Sequence, residues 1–329
     1  MNSIPLRPRD LGLILSYQCQ AQCAHCVYNC GKTWTDWISE ENISQAFAAL
    51  HLWDPVPMVH LTGGEPFLNY SLLLHAVQCA DEFNIPCYLE TNAGWALSEK
   101  IAMQKFSTLK DAGLLAVLIS CSPFHAESIP PKNTINAIQA SRAVFGPAQT
   151  FVYQSEWLQQ ITSFGVEHTT PLSRYMEEAG IQRCGELFWK GYGLISGGRA
   201  GYYLGELIAK QPAESFMFQS CENEILFSSH SHFDLYGNFI PGFCGGLSLG
   251  DWHELSELVT NYQNGELPEL INLLIQNGPF GLFELAKKSG YTALSAGYAG
   301  KCHLCVDVRR FLSRLFQYPE LQPAGFYNF

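Results

Sequence analysis

Cys19-Gln20-Ala21-Gln22-Cys23-Ala24-His25-Cys26 places three thiols in C-x3-C-x2-C spacing, directly after the apolar run Leu11-Gly12-Leu13-Ile14-Leu15. Thiolates are soft ligands that select iron–sulfur clusters, zinc or copper(I). A four-iron cluster ordinarily takes four cysteines, so three in one loop hold three irons and leave the fourth open to a substrate or cosubstrate. The same stretch also composes a three-cysteine, one-histidine zinc set. His25 sits between two of the cysteines and has to fold back sharply to share their metal. On these eight residues alone both metals stay open, with buried or redox thiols as a third reading.

The next informative stretch is Leu61-Thr62-Gly63-Gly64-Glu65-Pro66, after the strand-like Met58-Val59-His60-Leu61. Paired glycines let a backbone approach a ligand closely, and Glu65 offers a carboxylate to an amino group. Together the two motifs resemble the radical SAM superfamily, whose C-x3-C-x-aromatic-C signature follows the first barrel strand and whose Gly-Gly-Glu segment ends the second. The resemblance implies that Cys19, Cys23 and Cys26 ligate a [4Fe-4S] cluster. It implies that the amino and carboxylate groups of S-adenosylmethionine chelate the open iron. Gly63, Gly64 and Glu65 would then hold the methionine amino group, and His25 would lie beside the adenine.

Further along, apolar runs alternate with helical stripes. Strands are expected at 11–17, 58–61, 86–92, 114–120 and 150–154, with a weaker sixth at Tyr192-Gly193-Leu194-Ile195. Ser39 and Ser98 read as helix N-caps, and Ile43, Phe47 and Leu50 share one helix face. Such alternation argues for a parallel α/β architecture. The resemblance makes it a partial (β/α)6 radical SAM barrel with a smaller C-terminal α+β cysteine-rich domain, divided near residue 200 into 1–200 and 201–329. Chemistry in parallel α/β barrels gathers at the carboxyl ends of strands, where Glu90-Thr91-Asn92-Ala93 and Ser120-Cys121-Ser122-Pro123-Phe124-His125 fall. By resemblance Asn92 and Ser120 are candidates for the ribose or carboxylate of S-adenosylmethionine; the plainer reading is that they cap turns. Ala93 stands where glycine is usual in the family's Thr-Asn-Gly. His125 is a candidate catalytic or substrate-contacting group, and Cys121 a candidate hydrogen-atom donor. Gly197-Gly198-Arg199-Ala200 resembles the Gly-Arg-Ala segment of members with auxiliary clusters, with Arg199 as a carboxylate partner.

A second cysteine set comprises Cys221, Cys244, Cys302 and Cys305, with a hairpin expected around Gly237-Asn238 and a closing helix over 310–317. It resembles the twitch or SPASM extensions of radical SAM enzymes, and implies one closed auxiliary cluster; zinc on the same thiols is the alternative. The helical region between them is expected to open with an Asp251/Glu254 capping box. Of the remaining cysteines, Cys79 and Cys87 read as small buried hydrophobes.

With 329 residues, 47% of them apolar, the chain has ample material for a core, and disorder is excluded. Its net charge of −11, from 30 acidic against 19 basic residues, disfavours nucleic acid and anionic membranes. Arg309, Arg310 and Arg314 read as solvated ends or a local anion site. No apolar run reaches the roughly 18 residues of a membrane span, and Leu11–Leu15 is too short for a secretory segment. Twelve cysteines without a secretory signal point to ligand clusters in a reducing cytoplasm.

The expected activity is reductive cleavage of S-adenosylmethionine to a 5′-deoxyadenosyl radical that takes a hydrogen atom from substrate. The electron would come from a reduced flavodoxin or ferredoxin. A peptide or protein side chain is the expected substrate, by analogy with twitch and SPASM members. Alternatives are a dehydrogenase or rearrangement enzyme acting on a small metabolite, activation of a glycyl-radical enzyme, and, in another class, a non-catalytic metal-binding scaffold.

Overall fold

The apolar run after Asp10 forms β1 (Asp10–Ser16), buried from Leu11 onward. It pairs in parallel with β2 (Met58–Gly63), and β3 (Cys87–Thr91), β4 (Ala116–Ser120) and β5 (Thr150–Tyr153) continue the sheet in the order β5-β4-β3-β2-β1. The register stacks Leu13 beside Leu61, Leu61 beside Leu89 and Leu89 beside Val117. β1 is apolar and buried from Leu11 to Leu15, as a parallel strand covered on both faces is.

The computed structural model describes residues 6–329. It divides into two units: Arg9–Cys23 with Cys30–Ile181, and residues 6–8 with Ala24–Asn29 and Gln182–Phe329. Residues 182–200, which the sequence reading assigns to the first domain, pack with the second unit.

In the sheet unit the crossovers are α1 (Glu40–His51), α2 (Tyr70–Glu82), α3 (Glu99–Asp111), the single turn α4 (Pro123–Ala126) and α5 (Pro131–Phe145). After β5 come α6 (Glu156–Thr162) and α7 (Leu172–Ala179). Ser39 caps α1 by accepting from Asn42 N at 3.0 Å, and Ile43, Ala46, Phe47 and Leu50 form its buried face. Ser98 caps α3 in the same way through Ile101 N. Phe67 stacks on Trp95 with ring centroids 3.6 Å apart, and Phe106 meets Trp95 edge-on at 5.2 Å.

No strand forms at Tyr192–Ile195. Here the chain follows α8 (Ile181–Glu186) into a π-helical turn, Leu187–Gly191. Tyr192 N then donates to Leu187 O and Leu194 N to Phe188 O. These amides are satisfied locally and have nothing to offer a sheet ladder.

The second unit continues with α9 (Ala200–Tyr203), α10 (Glu222–Leu226) and the antiparallel hairpin of β6 (His230–Asp234) and β7 (Phe239–Pro241). The Asp234 carboxylate ties the hairpin's turn by accepting from Tyr236 N and Asn238 N, both at 2.9 Å. Three helices complete it: α11 (Leu255–Gln263), α12 (Glu269–Lys287), which bends at Gly278-Pro279, and α13 (Lys301–Leu315). Asp251 accepts from His253 N in a short turn before α11, so the expected capping box with Glu254 does not form. The closing helix begins at Lys301, not near residue 310, which puts Cys302 and Cys305 in its first turns. Among the described residues no helix is long and apolar enough to cross a membrane.

Phe106 is fully buried at the centre of the aromatic cluster. Phe106→Ala is expected to cost about 4 kcal/mol in urea unfolding, with the slope of the transition unchanged.

Candidate functional site

The exits of β1 and β2 touch backbone to backbone. Gly64 N donates to Ser16 O at 2.8 Å, and Glu65 N to Gln18 O at 2.9 Å. A Cβ on Gly63 would lie 2.2 Å from Ser16 O, and one on Gly64 1.9 Å from Gln18 O. The close approach these glycines permit is therefore to the segment that leads into Cys19. Past them Glu65 is 1% exposed. Its carboxylate accepts from Thr91 Oγ1 at 2.8 Å, Asn92 N at 2.8 Å and Phe67 N at 3.1 Å. Burial raises its pKa to about 7 against the pull of these donors.

Asn92 follows directly. Its Oδ1 accepts from Gln20 Nε2 at 2.7 Å and Gly94 N at 2.9 Å, and its Nδ2 donates to Cys19 Sγ at 3.4 Å. The sequence reading aimed this side chain at S-adenosylmethionine; here it reaches the first cysteine of the motif. Ala93 has φ of +63°, the left-handed region where a Cβ is strained, which is why glycine suits this position. Trp95 Nε1 completes the corner by donating to Thr91 Oγ1 at 2.9 Å.

Ser120 Oγ donates to Glu90 Oε1 at 3.3 Å, and Thr62 Oγ1 donates to Glu90 Oε2 at 3.0 Å. Three neighbouring strands thus end in one polar row, of which the sequence reading singled out Ser120 as a ligand and not Thr62 or Glu90. Alternation would have found them, since both lie on the strand face opposite Leu61 and Leu89. His125 Nδ1 is 2.7 Å from Ser122 Oγ within its own turn, and burial lowers its pKa to about 4, leaving the ring neutral at neutral pH. Cys121 is 1% exposed with its thiol pushed up to about 12 by burial. A hydrogen-atom donor must meet its substrate, and this burial gives that role no support.

The second unit holds Cys26 and the later cysteines. Arg199 N donates to Cys26 O at 3.0 Å, and its guanidinium donates to Asn29 Oδ1 at 2.9 Å. A Cβ on Gly198 would lie 2.3 Å from Cys26 O. Arg199 thus braces the loop that carries Cys26. The Tyr28 hydroxyl meets His232 Nδ1 at 2.9 Å, and Asn29 Nδ2 donates to Phe326 O at 2.9 Å. The His25 ring stands edge-on to Tyr192 with centroids 5.8 Å apart.

Cys221 precedes α10, Cys244 follows β7, and Cys302 and Cys305 lie one turn apart on α13. The fold brings these four thiols into electrostatic range of one another. Burial first, then the neighbouring thiols, raises Cys244 to about 12 and Cys302 to about 11, and raises Cys221 further. Metal-free, these three thiols hold their protons at neutral pH, and a bound metal displaces them. Arg309 is 2% exposed and shares a face of α13 with Cys302 and Cys305, so it is neither a solvated end nor a surface residue. The donors fit both metals considered for them: soft sulfur suits iron–sulfur and zinc alike, and a buried cation complements the negative charge of either thiolate complex. At Cys19 an amide N–H already points at sulfur, the kind of outer contact that steadies a metal-bound thiolate.

Residues 13–133 match the family model of the radical SAM superfamily. The protein YydG of Bacillus subtilis (strain 168), whose name provisionally assigns it to peptide biosynthesis, is 25% identical over 134 residues; the match covers 41% of this chain and 42% of YydG. The chain spans less than half the length of that relative. A structure of BtrN in complex with AdoMet and 2-DOIA aligns with a TM-score of 0.49 at 14% identity, covering 83% of this chain and 89% of BtrN. A structure of anSMEcpe with bound AdoMet and Cp18Cys peptide aligns with a TM-score of 0.46 at 14% identity, covering 98% and 99%.

Gly64→Ala forces a Cβ into the Gln18 carbonyl, and a loss of about 3 kcal/mol in unfolding free energy is expected. Glu65 sets a pH dependence of opposite sign to an ordinary ion-paired carboxylate. Its folded pKa of about 7 lies above the ordinary 4.5, so the folded state binds the proton more tightly. Stability should be highest below pH 4.5 as far as this group is concerned, fall between 4.5 and 7, and level off above. The slope is about 1.4 kcal/mol per pH unit at most. Melting curves for wild type and Glu65→Ala should show that fall only in wild type.

Proposed function

Residues 13–133 of this chain form a radical SAM domain, and from that premise we propose an S-adenosylmethionine-dependent iron–sulfur enzyme that modifies a peptide or protein side chain. The observation that carries the reading is the contact between the two motifs. The segment leading into Cys19 is hydrogen-bonded to Gly64 and Glu65 at the carboxyl ends of adjacent parallel strands, the end where such folds place their chemistry. When bound, the cluster and S-adenosylmethionine supply a 5′-deoxyadenosyl radical by one-electron reduction, with reduced flavodoxin or ferredoxin as the electron source.

In this reading Cys19, Cys23 and Cys26 hold the catalytic cluster. Asn92 steadies Cys19, and Arg199 with Gly198 steadies the loop of Cys26. Glu65 acts chiefly by fixing the rim between β2 and β3, while Gly63 and Gly64 keep that rim against the cysteine loop. Thr62, Glu90 and Ser120 present hydroxyls and a carboxylate that orient a polar group of substrate or cosubstrate. His25 and Tyr192 offer an aromatic corner for adenine. His125, neutral and tied to Ser122, shapes the mouth of β4. Cys221, Cys244, Cys302 and Cys305 hold an auxiliary cluster with no iron left open. The peptide assignment is supported by the similarity to a relative named for peptide biosynthesis, over the 134 residues that align.

The test is anaerobic reconstitution with iron and sulfide, followed by dithionite and S-adenosylmethionine, with 5′-deoxyadenosine measured by chromatography. Wild type should form it above a blank lacking protein. The variant with Cys19, Cys23 and Cys26 all changed to Ala should fall to that blank. Undiminished turnover in the variant would sink the assignment, and no turnover by wild type with candidate peptides present would favour a metal-binding scaffold.

A further inference from the structure

We propose that Arg309 is the counter-charge of the four-thiol site, raising the reduction potential of the cluster held there and making the metal-free protein less stable than its packing alone would. The inference rests on the auxiliary-cluster reading. Arg309 follows Cys305 by four residues and Cys302 by seven on α13, which puts all three on one helix face. Its Nη1 donates to Gly245 O and to the Tyr327 hydroxyl, both at 3.1 Å. Tyr327 in turn donates to Gly246 O, so both of these acceptors are neutral. Its Nε is buried with no hydrogen-bond partner among the described residues.

A guanidinium does not shed its proton in a protein. Burying one against neutral acceptors alone is strongly unfavourable. The other groups placed beside it are Cys305, one turn back on α13, and Cys244, whose neighbour Gly245 it hydrogen-bonds. The faces of the Phe326 and Tyr327 rings, 5.9 and 5.8 Å from the guanidinium, offset part of that cost; neutral thiols add no opposing charge, whereas metal-bound thiolates do. Through Gly245 the same side chain also grips the loop of Cys244, so one cation ties that loop to the α13 pair. Adding an electron to a thiolate-bound cluster adds one negative charge. A fixed cation beside it favours the reduced form and moves the potential upward.

The experiment uses the full chain with Cys19, Cys23 and Cys26 changed to Ala, so that only the four-thiol site can load iron. Arg309, Arg309→Lys, Arg309→Gln and Arg309→Met forms are reconstituted with iron and sulfide, and their midpoint potentials are read by electron paramagnetic resonance in a dithionite titration. The Gln and Met forms should titrate at more negative potentials, with Lys nearer the parent. Chelating the metal should lower the melting temperature of the parent by more than that of Arg309→Met. Equal potentials across the four forms would overturn the proposal. Should the Gln and Met forms fail to load, the metal-free proteins decide: a metal-free Arg309→Met that melts no higher than the metal-free parent overturns it. A parent that binds no iron and sulfide removes the cluster reading instead. Zinc then serves as the probe, and the counter-charge stands only if zinc raises the melting temperature of the parent by more than that of Arg309→Met.

Discussion

The backbones leaving β1 and β2 are pressed together closely enough that residues 63 and 64 have no room for side chains. Much of the site follows from that contact. It fixes the direction in which the chain departs toward Cys19, and it drops Glu65 into the protein. A buried carboxylate must be met by donors, and Thr91 and the amide of Asn92 supply them. With its backbone pinned, Asn92 turns its side-chain amide to Gln20 and to the Cys19 sulfur. A steric constraint on two glycines thus ends as a hydrogen bond on a metal-ligand candidate.

In the second unit the governing term is charge. Four thiols from three separate segments are gathered together, and burial makes Cys221, Cys244 and Cys302 resist ionising. Arg309 is buried against the same group. The protonated thiols tolerate burial while the guanidinium keeps its charge, and a metal that turned thiols into thiolates would oppose that charge. The loop of Cys26 belongs to this unit too, held by the Arg199 amide on Cys26 O and the Arg199 guanidinium on Asn29, with Gly198 packed closely against Cys26 O. Arg199 has its side chain engaged in that bracing, where the sequence reading gave it a carboxylate.

Much of the fold could be read directly from residue order. β1 to β5 stand within about two residues of their apolar runs, Ser39 and Ser98 cap the helices they precede, and the Gly237-Asn238 hairpin forms where its turn residues sit. Tyr192–Ile195 misled because a short run of β-formers carries no information about where its amides bond; a π-helical turn claimed them first. Arg309 looked like a surface cation because charge usually is. Its spacing from Cys302 and Cys305 was the available signal, a helical repeat visible only once the helix is known to start at Lys301.

The sequence by itself determined the alternation of strands and helices, the cysteine spacings and the order of the two motifs, since these depend on periodicity and on neighbours a few residues apart. Tertiary structure decided what the long-range partners are: Gln18 for Glu65, Cys19 for Asn92, Thr62 and Ser120 for Glu90, Gly245 and Tyr327 for Arg309. Such pairings cross between elements far apart in the chain. Local composition is silent about them because which polar group is buried beside which is set by how the elements pack.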